Sequence, residues 1–530
     1  MDATPPAANE SCLRHVHSKE HVRMSITEPT ARPIGDIDRA LAAFTILLGE
    51  DAVITDPQEL LAFRDPFTYR ESDQWDASAC VMPTSTEQVS AVVKIANEHG
   101  VPLWTFSQGR NNTYGGPAPR VPGSVIVNLR NMNRVLEINE ELAYAVVEPG
   151  VRWFDLFDAL EEAGGKLWTS IPDLGWGSVI GNSSEYGRGY TPYGDHAENI
   201  CGLEVVLPTG EIVRTGMGGM IGSQSAHIYK HAFGPQLQGL FQSSGLGIIT
   251  RMGYWLQRRP EAYASCWLSF RGDEALAASI DLMRELMLDG TVTNYPVVLH
   301  GVELDADGNP SFSPEKDLWL VRFALYGRPE IVDANWAACE RLFGAVPGMS
   351  LRRRVYAGDD RTSHAGHEDR VMAGIPDMDI LDLFQSVYGE DTAHLDFSPV
   401  GPLRGADVVE TAHLMRGLYE KTGERFFSGL MLSPRSVIHI STMFFDPHDE
   451  KQTAAVYENY SAMLAVMRDR GYPVYRTNLQ HMDAVAAQFD FNDNALLRLN
   501  ERIKDALDPN GIMQPGKSGV WARRYRETAQ

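Results

Sequence analysis

The sequence predicts an α+β protein of two domains, on three observations. Short β-rich runs interleave with small helices through the first half. The texture changes near residue 260, and a second set of longer strands and helices runs from there to about residue 471. In chain order, residues 36–48 read as an amphipathic helix. Asp56-Pro57 opens the next one, because aspartate accepts the free first-turn amides and proline loses nothing at the first position. In "STEQVSAVVKIANEHGVPLWTFSQG", Ser85 or Thr86 caps a helix, Gly100 ends it, and "VPLWTF" is a short buried strand leading into a glycine-rich loop. "GSVIVNL", "RVLEIN" and "AYAVVEPGV" are strand-like, "WFDLFDALEEAGG" is a helix ending at Gly164, and "LEVVLPTGEIVRTG" is a hairpin turning at Thr209-Gly210. Beyond residue 260, "YASCWLSF", "LWLVRFALYG" and "SVIHISTMFF" read as strands. "DEALAASIDLMRELMLDG", "EIVDANWAACERLFGAV" and "KQTAAVYENYSAMLAVMRDRG" read as helices. A further helix, "NDNALLRLNERIKDALDPNG", closes at Pro509-Asn510-Gly511.

Composition excludes several function classes. Apolar residues make up 43% of the 530, enough for a large core. The formal charge of −23 disfavours nucleic acid and anionic membranes, whose phosphates attract Lys and Arg. No apolar run approaches a membrane span, and no apolar signal-peptide core opens the chain. Five scattered cysteines without a CxxC argue for reduced thiols, a cytoplasmic setting and no structural zinc; no metal site is expected. Residues 1–34, rich in Pro, Ala, Ser, Thr and Glu, read as a disordered leader or as a misassigned start with Met24 the initiator.

Three loops carry the candidate chemistry. Ser107 to Gly116 ("SQGRNNTYGG") follows a buried strand and could turn several amides, with Ser, Asn and Arg donors, toward one anion; an ordinary glycine-rich turn fits it about as well. It is neither GxGxxG nor a P-loop, so a Rossmann NAD site is unsupported. "PDLGWGSVIGN" (172–182) and "GYTPYGDH" (189–196) are two more glycine-dense loops that could wrap one extended ligand. Asp195-His196 could be half of a triad or a metal pair, but no GxSxG or HExxH exists to complete either.

With "GLEVVLPTGEIVRTGMG", "DTAHLDFSPV", "YRTN" and "ALDPNGIMQPGKSGVW", these motifs closely resemble the 4-phenol-oxidising branch of the vanillyl-alcohol oxidase flavoproteins, the bacterial eugenol-oxidase type above all. The resemblance runs from about residue 36 to 525 and is weakest between about 260 and 385. It implies an FAD-binding domain made of two α+β subdomains from residues 35–260 and 472–530, with a substrate-binding cap domain at 261–471 inserted between them. It implies a covalent bond between FAD and His394. Tyr114, Tyr475 and Arg476 match the phenolate-binding trio, and Asp173 the aspartate beside flavin N5. Ser107, Gly109, Arg110, Asn111, Asn112, Gly115, Pro172, Gly175, Ser178, Gly181, Asn182, Tyr190, Gly194, Asp195, Gly247, Ile248 and Lys517 match cofactor-side positions, with Tyr190 also on the pocket. No octamer-associated insertion follows "GMGGM", which implies a homodimer.

The physics behind the trio stands without the family. Ionising a phenol of pKa near 10 at neutral pH costs roughly 4 kcal/mol. A guanidinium fork and two phenol hydroxyls aimed at one oxygen can offset that in a dry pocket. A carboxylate such as Asp173 could then activate water against the p-quinone methide left by hydride loss, or take a proton so that an alkene forms. Dioxygen is the expected acceptor, giving H2O2. The alternatives are a dehydrogenase of the same fold that passes electrons to a cytochrome or copper protein, an FAD-dependent hydroxy-acid or aldonolactone oxidoreductase, and a flavin-free binding protein. Departures from the branch fall near the substrate: Asp396 where relatives carry Gly or Phe, Asn478 after "YRT", and "SPRSVIHI", which keeps Arg435 and His439. Asp396 shares the face of His394 on a strand, so it could contact the polar end of a substrate or face solvent.

Overall fold

A computed structural model describes residues 35–304, 310–313, 317–422, 426 and 428–526; the leader expected over 1–34 lies outside them. The first helix spans Ile37–Leu48 with Asp36 as its cap, and the second, Pro57–Leu60, starts on Asp56, whose side chain accepts from the amides of Gln58 and Glu59. The helix Thr86–His99 is capped by Ser85 and stopped by Gly100 in the left-handed conformation. It crosses between the strands Ala79–Val81 and Leu103–Phe106, which flank Val125–Asn128 in parallel. Every residue of Ala79–Val81 and Val125–Asn128 is buried, as expected for parallel strands covered on both faces.

A second, antiparallel sheet runs Val135–Asn139, Tyr144–Val147, Ile248–Trp255, Ile200–Val206, Ile212–Arg214. Its apolar face packs on Trp153, Leu156 and Leu160 of the helix Trp153–Glu162. The third sheet is the largest. Its strand order is Ser350–Ala357, Ala262–Arg271, Leu318–Gly327, Val297–His300, Ser428–Leu432, Ser436–Phe445, Ala393–Phe397, with Val400–Pro402 also on Ser436–Phe445. Helices Asp273–Leu288 and Pro329–Phe343 cover one face of it, burying Leu276, Ile280, Met283, Trp336 and Phe343 against Cys266, Leu268 and Phe323. The α+β class is as the sequence predicts.

The chain then returns to the first sheet. Leu103 N–H donates to Ile512 O at 2.7 Å, and Gln514 N–H to Leu103 O at 2.8 Å. Lys504 reaches across at the same level. Its buried ammonium pairs with Asp508 at 2.8 Å and donates to Gly245 O at 2.7 Å and to Met513 O. The helix Phe491–Leu507 departs from the expected one at its start: Asn492, Asp493 and Asn494 have φ of 50°, 55° and 57°. Asn and Asp tolerate left-handed backbone because their short side chains bond locally, so right-handed helix begins only after them. Among the described residues no helix is long and apolar enough to cross a membrane. Cys80, Cys201, Cys266 and Cys339 are buried free thiols; Cys12 lies outside the described residues.

Candidate active site

The three loops picked out by their glycines line one cleft, with a cavity of about 310 Å³, inside the roughly 300–1,000 Å³ range of small-molecule sites. The loop after Leu103–Phe106 is fixed from behind. Arg130 Nε and Nη2 donate to Gln108 O at 3.0 and 2.7 Å, and Gln108 Nε2 donates to Gly150 O at 2.6 Å. Thr113 takes a left-handed φ of 68°, an uncommon conformation for a β-branched residue, and this throws Tyr114 toward the cleft. The loop at 172–182 is stitched by Ser178, which donates to Pro149 O at 2.6 Å and caps the short helix Val179–Ser184. Here Gly181 lies against Ser107: a Cβ would sit 2.3 Å from its Oγ, so the two loops touch only because residue 181 has no side chain.

Of the residues matched in the sequence, Ser107, Gly109, Arg110, Asn111, Asn112, Tyr114, Pro172, Asp173, Ser178, Gly181, Asn182, Tyr190, Gly247, Ile248, Asp396, Tyr475, Arg476 and Lys517 line the cleft. Gly115, Gly175, Gly194, Asp195 and His394 are set back from it. Gly175 is packed on Phe154 and Pro376, where a Cβ would lie 2.7 Å from each. Gly194 closes the turn back to Gly189, and Asp195 pairs with Arg188, which does reach the cleft. His196, beside Asp195, is buried against Trp153 and bonded to Asn182; burial, helped by Arg188, pushes its pKa down to about 3.

Tyr114, Tyr475 and Arg476 meet. The two phenol rings are 6.3 Å apart in an edge-to-face arrangement. The Arg476 guanidinium lies 4.3 Å from the Tyr114 ring centre and 5.9 Å from that of Tyr475, and bonds Asn111 Oδ1. Tyr114 OH shares a 2.6 Å hydrogen bond with Ser398 Oγ. Burial pushes the Tyr114 hydroxyl well above its usual range, so it stays a neutral O–H. Burial alone would weaken the Arg476 cation, but Tyr475, Tyr114 and Glu185 outweigh it and hold the charge. Glu185 is itself paired with Lys517 at 2.8 Å.

Two carboxylates open on the same cleft in opposite electrostatic settings. Asp173 accepts from Tyr190 OH at 2.6 Å and faces His367 Nε2 at 3.4 Å and Arg322 at 3.5 Å. Burial would raise its pKa, but His367, Arg322 and Tyr190 bring it down to about 2. Asp396 accepts from Thr442 OH at 2.6 Å and Thr113 OH at 2.9 Å, and burial raises its pKa against the pull of His394, the two threonines and Arg476. Asp396 therefore faces the cleft, not solvent. His394 lies two residues back on the strand Ala393–Phe397, buried against Phe67 and Phe444. Burial lowers its pKa, partly offset by Asp396, which favours the neutral, nucleophilic ring. Asn478 is buried and accepts from His481 N–H at 3.2 Å, a structural contact. His439 is also buried, with its pKa pushed down to about 3.

The donor set fits FAD. Ser, Asn and Arg side chains of 107–112, Asn182 and Lys517 suit a diphosphate and the polar edge of a flavin. Sequence reading missed Glu185, Arg188, Arg322, His367 and Asp377. The first two lie between recognised motifs; the others fall where the resemblance is weakest, and no local pattern announces them.

Comparison with known proteins gives a consistent picture. The FAD binding domain family matches residues 77–216. The chain is 32% identical to the 4-cresol dehydrogenase [hydroxylating] flavoprotein subunit of Pseudomonas putida over 92% of this chain and 96% of that protein. It is 40% identical to the 1'-carboxy-chondrochloren decarboxylase of Chondromyces crocatus, over 91% and 97%. Its fold matches the solved 4-ethylphenol oxidase from Gulosibacter chungangensis, crystallised with isoeugenol, with a TM-score of 0.86 and 32% identity over 93% of this chain and all of that one.

Proposed function

The chain belongs to the vanillyl-alcohol-oxidase type of FAD-dependent phenol oxidoreductases, and from that premise we propose that it is an oxidase of 4-substituted phenols, with dioxygen as acceptor and H2O2 as product. The reading rests on one observation, the convergence of Tyr114, Tyr475 and Arg476 at a cleft lined by FAD-type loops. When bound, FAD supplies the hydride acceptor that leaves a benzylic carbon as a p-quinone methide. The loop at 107–112, residues 178–182, Gly247-Ile248 and Lys517 hold the cofactor. Tyr114 and Tyr475 donate hydrogen bonds to the phenolate oxygen, Arg476 neutralises it, and Asp173 orients water toward the benzylic carbon. The large antiparallel sheet and its helices form the cap at 261–471. A screen of 4-ethylphenol, eugenol and vanillyl alcohol for oxygen uptake and peroxide release tests this. Turnover only with an artificial dye acceptor would make it a dehydrogenase, the word in the name of the 4-cresol relative. No turnover of any phenol would remove the reading.

The 40% identical relative favours a second outcome at the same site. If the 4-side chain bears a carboxylate on the carbon next to the benzylic one, the C–CO2 bond can break after hydride loss. Its electron pair restores the aromatic ring, CO2 leaves and an alkenylphenol forms. Incubation with 3-(4-hydroxyphenyl)propanoate, assayed for 4-vinylphenol, separates this from water addition.

His394 forms the covalent bond to FAD in this proposal. His394→Ala is expected to release its flavin on acid precipitation; flavin that stays with the protein pellet counts against the bond. Asp396 reads the polar groups of the substrate. Asp396→Gly is expected to shift kcat/KM about tenfold toward phenols with apolar 4-side chains, the size of one hydrogen bond to a charged group; an unchanged panel would make Asp396 a bystander. The exposed Met220 and Ile221 and the fully exposed Phe233 are apolar side chains left to solvent, which supports a homodimer, and the buried free thiols support a reducing, cytoplasmic setting.

A further inference from the structure

Behind Asp173 runs a line of alternating charges that phenol binding does not use. His367 Nε2 faces Asp173 Oδ1 at 3.4 Å, and its Nδ1 lies 2.5 Å from Asp377 Oδ1. Asp377 Oδ2 accepts from Arg370 Nε at 2.7 Å, and Arg370 also holds the exposed Asp379. On the other side, Arg322 lies between Asp173 and Glu368 and over the ring of Tyr190 at 4.0 Å. Asp377 acts twice, because its backbone carbonyl also accepts from Gly175 N–H at 3.0 Å, two residues beyond Asp173. One residue thus anchors both the loop that carries Asp173 and the imidazole that faces it. A ring with a carboxylate at each nitrogen can donate to both only when doubly protonated.

We propose that His367, oriented by Asp377, is a positioning residue that keeps Asp173 ionised and aimed at the benzylic carbon, so that the oxidised substrate takes up water in preference to losing a proton. The inference rests on the phenol-oxidising reading. In water uptake the C–O bond forms at the benzylic carbon, the quinone methide electrons return to the ring oxygen, and the water proton passes to Asp173. In the competing route a C–H bond next to the benzylic carbon breaks: its electron pair forms the alkene, the quinone methide electrons return to the ring oxygen, and the proton passes to Asp173 or to solvent water. That route needs no positioned water, so it gains when the carboxylate loses its clamp.

The charges around His367 set the pH dependence. Burial lowers its pKa, but Asp173 and Asp377 more than reverse this, with Arg322, Arg370, Glu368 and Tyr190 as the other polar groups around the pair. The folded pKa therefore stands above the ordinary value of about 6.5. The imidazolium–carboxylate pair is intact below that pKa and is lost as pH rises through it.

The test is the product ratio from 4-ethylphenol, 1-(4-hydroxyphenyl)ethanol against 4-vinylphenol, with the flavin-loaded protein from about pH 6 to 10. The wild type is expected to lose alcohol on the alkaline side. His367→Gln should lower the alcohol-to-alkene ratio at neutral pH roughly tenfold, as for a lost charge-assisted hydrogen bond, and abolish the alkaline fall. Asp377→Asn, nearly isosteric, should move the fall to lower pH. A His367→Gln enzyme that keeps the alkaline fall overturns the proposal, as do two variants that lose turnover evenly with an unchanged ratio. A wild type that oxidises no phenol instead overturns the functional reading, and this inference with it.

Discussion

Arg476→Ala is expected to lower kcat/KM for every phenol the protein oxidises by roughly 10²–10³-fold, about 2.7–4 kcal/mol, the loss seen when one donor to a developing anion is removed. The guanidinium is a permanent cation within reach of both tyrosine rings. Without it, a phenolate would be buried against two hydroxyls, with the carboxylates of Glu185 and Asp396 nearby. Tyr114 cannot compensate, because burial keeps it a neutral O–H that can donate a hydrogen bond but carries no charge. Arg476→Lys should recover little, since an ammonium cannot keep both the bond to Asn111 and a fork toward substrate. Steady-state kinetics on flavin-loaded protein, with the flavin spectrum as a control for folding, measure this. Turnover within a factor of two of wild type would remove Arg476 from its assigned role.

The largest expected effect on stability is far from the substrate. Lys504→Met should destabilise the fold by about 3–5 kcal/mol, because it leaves the buried Asp508 carboxylate without its counter-charge. It also strips donors from the carbonyls of Gly245 and Met513. Asp508 keeps two partners, the amides of Ile512 and Met513, so Lys504→Met with Asp508→Leu should recover only part of the loss. Thermal midpoints of the flavin-loaded proteins measure both. A single variant as stable as the wild type would show that the pair contributes nothing net.

The sequence made the local elements and the recognisable half of the site legible. Caps at Asp56 and Ser85, the left-handed stop at Gly100 and the buried strand before the first glycine loop follow from rules that act within a few residues. The trio was readable because its members sit in long, ordered motifs, although Tyr114 and Tyr475 are 361 positions apart by their numbers. What was not readable depends on long-range placement. His367 lies on a helix of five residues, His367–Val371, with no periodicity to announce it, and its function depends on Asp173 from the other half of the chain. The left-handed run Asn492–Asn494 breaks a helix that composition alone extends through it. The orientation of Asp396 toward the cleft required the register of its strand, in which it stands opposite Thr442.

The return of residues 504–517 to the first sheet has a consequence for how the protein is made. Met513 pairs with Leu103, and Lys517 and Arg476 complete a wall begun by Ser107 to Tyr114. A ribosome must therefore pass residue 517 before the nascent chain can enclose its prosthetic group. Messages that stop short would release chains that carry the loops at 107–112 and 178–182 but lack Lys517, so the cleft would stay open along that wall.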